Sequence, residues 1–258
     1  MNAPPFSHGN RVTGNTILNS GSAGISLSSG GQLIANTVEN NAIIGNSVSN
    51  ANTLSYDAAG IYTLFVGGGN TIKSNTILNC GSNELRSSGI MIEGGTDSSI
   101  KPVAIDGNTI ENNSLAGIAV SGKNHTITNN TLRNNGVPSW ENAQVVFFPS
   151  FGENASSCTV KNNIMEAGRN QTLVSVLDAW GHISPHHTID NNTYCSTNIT
   201  PFCWSYSTCS QPVNFSSWKI MSGHDSHSSF TNGICSPNPP PPTGGEGSIN
   251  AVYLLLLK

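Results

Sequence analysis

The sequence carries very little charge. Its 258 residues include 10 Lys and Arg and 14 Asp and Glu, which is 9% of the chain and a net charge of −4, whereas about a quarter of a typical soluble domain is charged. So few basic residues exclude a nucleic-acid binder that works through a clustered Lys and Arg surface. The low charge also argues against a disordered chain, because disordered chains are normally rich in charged residues.

Long apolar runs and sustained helical patterns are missing as well. No run reaches the roughly 18 apolar residues that a membrane-spanning helix needs, so the sequence does not predict an integral membrane protein. No segment keeps a helical period, and strong helix formers are scarce. The chain is instead rich in Asn and Gly, with 34 and 27 copies. This polar, turn-rich composition is typical of an all-β repeat protein.

Two short phrases alternate along the chain. The first is Asn-Thr-apolar-x-Asn, and it occupies residues 15–19, 36–40, 75–79, 108–112 and 130–134. The second is a small residue followed by Gly-Ile, and it begins at residues 23, 59, 88 and 116. From Gly60 to Gly89 to Gly117 the steps are 29 and 28 residues, and from Asn108 to Asn130 the step is 22. Repeats of this length are too short for four-stranded propeller blades. Each phrase predicts a short alternating strand bounded by Gly, Asn or Ser turns.

One repeat of this length cannot bury its own apolar face, but a stack of repeats can. We expect one interior column built from Ile25, Ile61, Ile90, Ile118, Val145 and Val174. A second column would contain Ile17, Ile77, Ile110, Leu132 and Met165. Asn-Asn pairs at 129–130, 162–163 and 191–192 would stack at a corner, where Asn tolerates the left-handed conformation and its amide bonds the next turn. The pattern predicts a parallel β-helix, with a β-sandwich or propeller as the alternative.

The phrases resemble the parallel β-helix repeat family over roughly residues 9–195. That family includes pectate-lyase-like polysaccharide lyases, glycoside hydrolases, epimerases and non-catalytic surface proteins, so the resemblance implies a fold more than a reaction. The implied fold class is all-β, a right-handed parallel β-helix with a loop-rich, Cys-containing C-terminal cap. The right hand follows from the family and from the general rule for parallel crossovers.

The chain divides into four predicted segments. Repeats occupy residues 1–194, a cap follows at 195–235, a Pro- and Gly-rich linker at 236–248, and a short apolar tail at 249–258. Without an obvious N-terminal cap, strand edges at the first turn predict self-association there, or coverage by a partner or by further chain. Trp204, Phe215 and Trp218 are expected to plug the other end of the core.

The six cysteines indicate the compartment. Cys195, Cys203, Cys209 and Cys235 have no zinc-type Cys-x-x-Cys spacing, so we expect disulfides among these four. Cys80 and Cys158 are either a pair between turns or two buried thiols. Disulfides in an uncharged, Asn-rich chain predict a secreted or extracellular protein.

The candidate catalytic residues are Asp57 and Glu93. Asp57 stands in Asp-x-x-Gly-Ile-Tyr, a phrase similar to one in some β-helix glycosidases, and Glu93 ends the equivalent strand one turn later. Two carboxylates flanking one bond can act as general acid and as nucleophile or base. Asp57 and Arg86 each precede a repeat glycine by three residues, so they would lie about 5 Å apart on neighbouring strands. That pair is either a plain surface ion pair or a carboxylate held beside a sugar.

Substrate contacts are predicted for Arg86, Tyr62, Trp180 and His182. Trp180 could stack on a sugar ring, and His182 with Asp178 could serve acid–base chemistry or form a metal pair. The alternative is an aromatic loop packed on the cap. A polysaccharide lyase would instead need a Lys or Arg base, often with Ca²⁺, and the basic residues are scattered. We therefore predict no metal and no cofactor for a hydrolase, with Ca²⁺ entering only under the lyase alternative.

Two functions remain open from the sequence. The first is a secreted carbohydrate-active β-helix that cleaves a neutral or weakly charged polysaccharide, as a hydrolase or a lyase. The second is a non-catalytic structural, fibre or surface protein, in which Asn and Ser ladders serve packing and wetting. Polysaccharide is the expected partner, and nucleic acid is not.

Overall fold

The architecture is taken from a computed structural model of the 258-residue chain. The structure describes residues 7–28, 38–55, 58–82, 87–94, 102–136, 143–151, 154–177, 186–205 and 212–235. The predicted linker at 236–248 and the apolar tail at 249–258 lie outside these ranges, and the four-segment division stays a prediction. In the described ranges, no helix has the length and apolar character that crossing a bilayer requires.

Short strands dominate the described chain, with one eight-residue helix, α1 (Phe215–Ser222), near its end. In chain order the strands are β1 (Ser7–His8), β2 (Arg11–Thr13), β3 (Thr16–Leu18), β4 (Ile25–Ser28), β5 (Val38–Glu39), β6 (Ala42–Ile44), β7 (Ser47–Ser49), β8 (Ala59–Leu64), β9 (Thr71–Lys73), β10 (Thr76–Leu78), β11 (Ser88–Glu93), β12 (Ala104–Asp106), β13 (Thr109–Glu111), β14 (Ile118–Val120), β15 (Thr126–Thr128), β16 (Thr131–Arg133), β17 (Ala143–Phe147), β18 (Thr159–Lys161), β19 (Ile164–Ala167), β20 (Thr172–Leu177), β21 (Thr188–Asp190), β22 (Thr193–Ser196), β23 (Phe202–Ser205) and β24 (Ser229–Asn232).

These strands form three long parallel sheets that run along the molecule. The first sheet has the order β2-β6-β9-β12-β15-β18-β21, the second β24-β22-β19-β16-β13-β10-β7-β3, and the third β23-β20-β17-β14-β11-β8-β4. Neighbours in a sheet come from successive turns of the chain, so each turn contributes one strand to each sheet. Strands β1 and β5 form a separate parallel pair at the N-terminal end. The predicted parallel β-helix is confirmed.

The two predicted apolar columns lie in register inside the coil. In the third sheet Ile25, Ile61, Ile90, Ile118, Val145 and Val174 are successive Cα partners. In the second sheet the partners are Ile17, Val48, Ile77, Ile110, Leu132 and Met165. Every member is buried, with at most 2% of its surface exposed. Strand alternation sends these side chains inward and their neighbours outward, and the outward side chains form the outer face of each sheet.

The corner between the first and second sheets explains the Asn-rich phrase. The first residue of the corner, which directly precedes the phrase, has a positive φ, as at Asn129, Asn162 and Asn191, each at φ 58. The next residue is a buried Asn whose Oδ1 accepts hydrogen bonds from the Asn backbone and Nδ2 of the preceding turn. This ladder joins Asn15, Asn46, Asn75, Asn108, Asn130, Asn163 and Asn192 in sequence. The stacked Asn-Asn corner predicted from the sequence is therefore present.

The C-terminal cap closes the interior with aromatic side chains. Asn214 caps helix α1, which ends at Gly223 in the left-handed conformation. Trp218 is fully buried, and its indole lies 5.2 Å from the ring of Phe202. Phe215 and Trp204 are partly buried against the same core, as predicted. The buried Asp225 accepts hydrogen bonds from Trp218 Nε1 and Tyr194 Oη at 2.6 and 3.0 Å, and burial raises the pKa of this carboxyl.

The described cysteines fall into the two groups expected from the sequence, the C-terminal cysteines and the earlier Cys80 and Cys158. Cys195 and Cys235 form a disulfide across the cap, and Cys203 is disulfide-bonded as well. Cys80 and Cys158 are two free, buried thiols rather than a pair. Burial raises the pKa of both thiols to about 12, so they are interior packing groups without thiolate character at neutral pH.

Candidate functional site

The candidate site lies on the outer face of the third sheet, where β8 and β11 run side by side. In β11 the fully buried Ile90 and Ile92 point into the core, so alternation turns Met91 and Glu93 outward. Met91 is the register partner of Tyr62 in β8, and Glu93 is the partner of Leu64. Tyr62 and Glu93, both singled out from the sequence, therefore share one outer face on neighbouring turns.

The Glu93 carboxylate is held by hydroxyl groups on both of its oxygens. Tyr62 Oη donates to Oε2 at 2.7 Å, and Ser150 Oγ donates to Oε1 at 2.9 Å. All three residues are half-buried, so the carboxylate is fixed in one orientation and still borders solvent. A carboxylate held in this way can accept a proton, attack a carbon atom or bind sugar hydroxyls.

Ser150 belongs to a segment after β17 that returns over this face. The same segment brings the ring of Phe151 within 4.5 Å of the ring of Phe65, measured between centroids. Phe65 directly follows β8, and its backbone N–H donates to the Glu93 carbonyl at 3.0 Å. The site is thus assembled from three turns of the coil, and its polar and aromatic parts adjoin.

Further along the third sheet the outer face is covered. Ala119, Val146 and Leu177 point outward from β14, β17 and β20, yet at most 4% of each is exposed. Together with Ala116 and Ala143 they form a small apolar cluster, against which Met91 and Phe148 pack. Glu93 and Tyr62, which are half-buried, therefore lie at the edge of this buried patch.

Four of the six predicted site residues lie outside the described residues: Asp57, Arg86, Trp180 and His182. The closeness of Asp57 to Glu93, on which joint catalysis depends, and the roles of all six residues therefore stay predictions. The register pairs Glu93 with the last residue of β8, whereas Asp57 precedes the first residue of that strand in sequence.

Sequence reasoning did not find Ser150, Phe151 or Phe65. They fall in irregular segments between repeat phrases, where no periodicity assigns a face. The available signal was composition: Phe147-Phe148-Pro149-Ser150-Phe151 gathers three aromatic residues in a chain that is 7% aromatic. Binding residues occur disproportionately on loops, so this aromatic cluster could have been singled out as a candidate.

Two of the scattered basic residues, Arg133 and Lys73, form ion pairs with carboxylates on the other two sheets. Arg133 is 7% exposed on the outer face of the second sheet and pairs with Glu111 and Glu166 at 3.1 and 3.6 Å. Lys73 pairs with Asp106 at 2.8 Å, and this contact holds the pKa of Asp106 below its usual range. Among the residues that the structure describes, no three His, Cys, Asp or Glu side chains are grouped to hold a metal ion.

Two buried histidines belong to the backbone ladder rather than to a surface site. At the start of each first-sheet strand, Asn41 and Asn70 accept the backbone N–H of the preceding turn. His125 and His187 fill the same column further along, where each Nδ1 accepts the N–H of Val103 or Cys158. Burial lowers the pKa of His125 to about 4 and that of His187 to about 3, so both rings are neutral near pH 7.

The fold and its repeats place the chain in a known class. Residues 59–208 match the family model described as the right-handed beta helix region, and the chain belongs to this family. The predicted right-handed parallel β-helix is thereby confirmed. No curated protein sequence matches the chain.

Two solved structures share the fold at low sequence identity. The A-module of Azotobacter vinelandii mannuronan C-5 epimerase AlgE4 is 12% identical over 87% of this chain and 58% of its own, with a TM-score of 0.52. The A-module of AlgE6 from the same organism is 11% identical over 90% of this chain and 59% of its own, with a TM-score of 0.49. The chain thus spans less than two thirds of either module, and the likeness concerns the fold alone.

Proposed function

We propose that this protein is a secreted carbohydrate-active β-helix that binds an extended polysaccharide along the outer face of the third sheet and cleaves it. The observation that carries the proposal is the Glu93 carboxylate, oriented by Tyr62 and Ser150 at the border of the covered patch. The AlgE4 A-module, which has a similar fold, is named as a mannuronan epimerase, and this supports a polysaccharide-acting role without indicating the reaction.

In this proposal Glu93 is one catalytic carboxylate and Asp57 is the second. Hydrolysis of a glycosidic bond commonly uses two carboxyl groups about 5 to 10 Å apart, and their separation selects retention or inversion. Tyr62 keeps Glu93 in place and contacts the sugar, while Arg86, Trp180 and His182 extend the binding surface. The lyase alternative would draw its base from elsewhere on the same face.

The test is turnover over a panel of neutral and uronate-containing polysaccharides with three readouts. New reducing ends report hydrolysis, ultraviolet absorbance of an unsaturated product reports elimination, and proton NMR of the sugar units reports epimerisation. We expect Glu93→Gln to lower kcat on the order of a hundredfold or more, because Gln keeps the shape but cannot exchange a proton or attack. Asp57→Asn should have a loss of similar size.

The matched control is Glu111→Gln, which removes the same charge from the outer face of the second sheet, where Glu111 pairs with Arg133. This variant should retain wild-type turnover even if its stability falls. Unchanged turnover in Glu93→Gln would remove Glu93 from the mechanism. Equal losses in Glu93→Gln and Glu111→Gln would indicate damage to the fold instead.

A non-catalytic structural role is the second candidate, and the same contacts favour it. The hydrogen bonds of Tyr62 and Ser150 to Glu93 tie β8, β11 and the segment after β17 together, which is a structural task in its own right. Under this alternative the wild-type protein turns over no member of the panel, and Glu93→Gln lowers only the free energy of unfolding.

A further inference from the structure

An exposed aromatic ring stands beside the Glu93 carboxylate. Phe151 is 56% exposed, although the apolar side chains on the neighbouring part of this face are almost completely buried. Its partner Phe65 is 8% exposed and lies beneath it, at 4.5 Å between ring centroids. Ser150, which directly precedes Phe151, donates to Glu93, so the ring is anchored next to the carboxylate.

Both phenylalanines adopt a backbone conformation that their side chains disfavour. Phe65 and Phe151 each have φ 50, in the left-handed region that bulky residues rarely occupy. A glycine or an asparagine at either position would relieve this strain. Strained residues of this kind persist where the surrounding structure holds them, and they cluster at ligand sites.

The backbone beneath the pair is shaped to admit the Phe65 ring. Gly94 follows Glu93 with φ 75, and a Cβ added there would lie 2.4 Å from Phe65 Cδ1. The Gly94 N–H also donates to the Ser121 hydroxyl at 2.9 Å, which fixes the glycine against the next turn. The aromatic pair therefore rests on a fixed floor rather than on a mobile loop.

We propose that Phe151, supported by Phe65, is a stacking platform for one uncharged sugar unit of the polysaccharide, which deepens and rests on the proposed function. A pyranose ring has an apolar C–H face that covers an aromatic ring and a rim of hydroxyls that bond polar groups. Phe151 supplies the ring, and the adjoining Glu93 carboxylate, with its Tyr62 and Ser150 hydroxyls, supplies partners for the rim.

The polar groups beside the platform set the charge of the sugar. Two hydroxyl groups contact Glu93, and among the residues that the structure describes it is the carboxylate beside the platform. A uronate carboxylate held against Glu93 would place two like charges together, which is unfavourable. An uncharged hexose unit can instead donate its hydroxyls to Glu93.

The proposal is tested by affinity electrophoresis of the whole chain in gels that contain a single polysaccharide. The probes are hydroxyethyl cellulose and galactomannan as neutral polymers, and alginate and polygalacturonate as anionic ones. We expect retardation by a neutral polymer, a loss of about tenfold in affinity for Phe151→Ala, and retention of affinity for Phe151→Tyr, since Tyr keeps the ring face. Ile220→Ala, which removes an 83% exposed apolar side chain from helix α1, is the matched control and should bind as the wild type.

Folding and binding are separated by a third variant. Phe151→Gly relieves the left-handed strain, so its Tm should not fall below that of Phe151→Ala, while its affinity falls equally. Wild-type affinity in Phe151→Ala overturns the platform and leaves the proposed function standing. Retardation by anionic polymers alone overturns the uncharged assignment. Retardation by none of the four polymers overturns both proposals, whereas loss of binding in Phe151→Ala without any turnover supports the platform and overturns catalysis.

Discussion

At the scale of single residues, buried asparagines provide hydrogen bonds that charged residues provide in other proteins. Each ladder Asn satisfies backbone and amide groups of two neighbouring turns without the desolvation cost of a charge. Asn108 is a central example, since its Oδ1 accepts from Asn75 and its Nδ2 donates to Asn130 and to the Ile72 carbonyl. A chain with 9% charged residues can therefore still have a well-bonded interior.

Replacing Asn108 by Ala should lower the free energy of unfolding by roughly 3 kcal/mol, because the Asn75 and Ile72 groups are left buried without this partner. Asn15→Ala at the first turn should cost less than about 1 kcal/mol, because Asn15 is half-buried and its backbone N–H still donates to Asn46 Oδ1. Urea unfolding of both variants measures the difference. Equal costs would contradict a cooperative Asn ladder.

At the scale of single elements, one column changes its residue type along the first sheet without changing its task. Asn41 and Asn70 accept a backbone N–H before β6 and β9, and His125 does so before β15. His125 also places Nε2 3.0 Å from the Ser121 carbonyl. The histidine thus substitutes for an asparagine, but it introduces a group that titrates in the unfolded chain.

The buried histidines His125 and His187 make the free energy of unfolding depend on pH. Burial lowers the pKa of His125 from 6.5 to about 4 and that of His187 from 6.5 to about 3. Their contribution is complete above pH 6.5 and is lost as the pH falls, because the unfolded chain then binds protons that the folded chain does not. The expected slope is about 1.4 kcal/mol per pH unit for each histidine.

His125→Asn should lower the slope of stability against pH by about 1.4 kcal/mol per pH unit between pH 6 and about pH 4.5, a window above the ordinary range of the aspartates. The Asn can accept the Val103 N–H as Asn41 and Asn70 accept theirs, although its smaller size should lower stability at neutral pH. Urea midpoints across the window provide the measurement. An undiminished slope would show that His125 is protonated in the folded protein.

At the scale of the whole molecule, a solenoid is held together by contacts between neighbouring turns. The C-terminal plug is the one place where a helix covers the described core, and Trp218 is its largest fully buried side chain. The disulfide from Cys195 to Cys235, 40 residues apart, should restrict the unfolded cap and stabilise it by about 4 kcal/mol on the loop-entropy model.

Trp218→Ala should lower the free energy of unfolding by about 3 to 5 kcal/mol, since it leaves a cavity and removes the Asp225 hydrogen bond. Loss of amide protection should be greatest in β22, β23 and β24 and should fade toward β8, because coupling passes from turn to turn. Hydrogen exchange read strand by strand is the measurement. A uniform loss of protection through the whole coil would contradict this local coupling.

The sequence alone determined the coil, because the residue patterns that specify each turn are local and recur along the chain. Alternating Ile and Val positions decide which face of a strand is buried, and Asn-Asn pairs decide where the chain turns, so each copy of a phrase gives the same answer. No repeated phrase predicts the disulfide between Cys195 and Cys235. The same holds for the contact of Ser150 with Glu93, which is 57 residues away in sequence. Only the tertiary structure decided these, because they join irregular segments whose positions depend on the stacked turns beneath them.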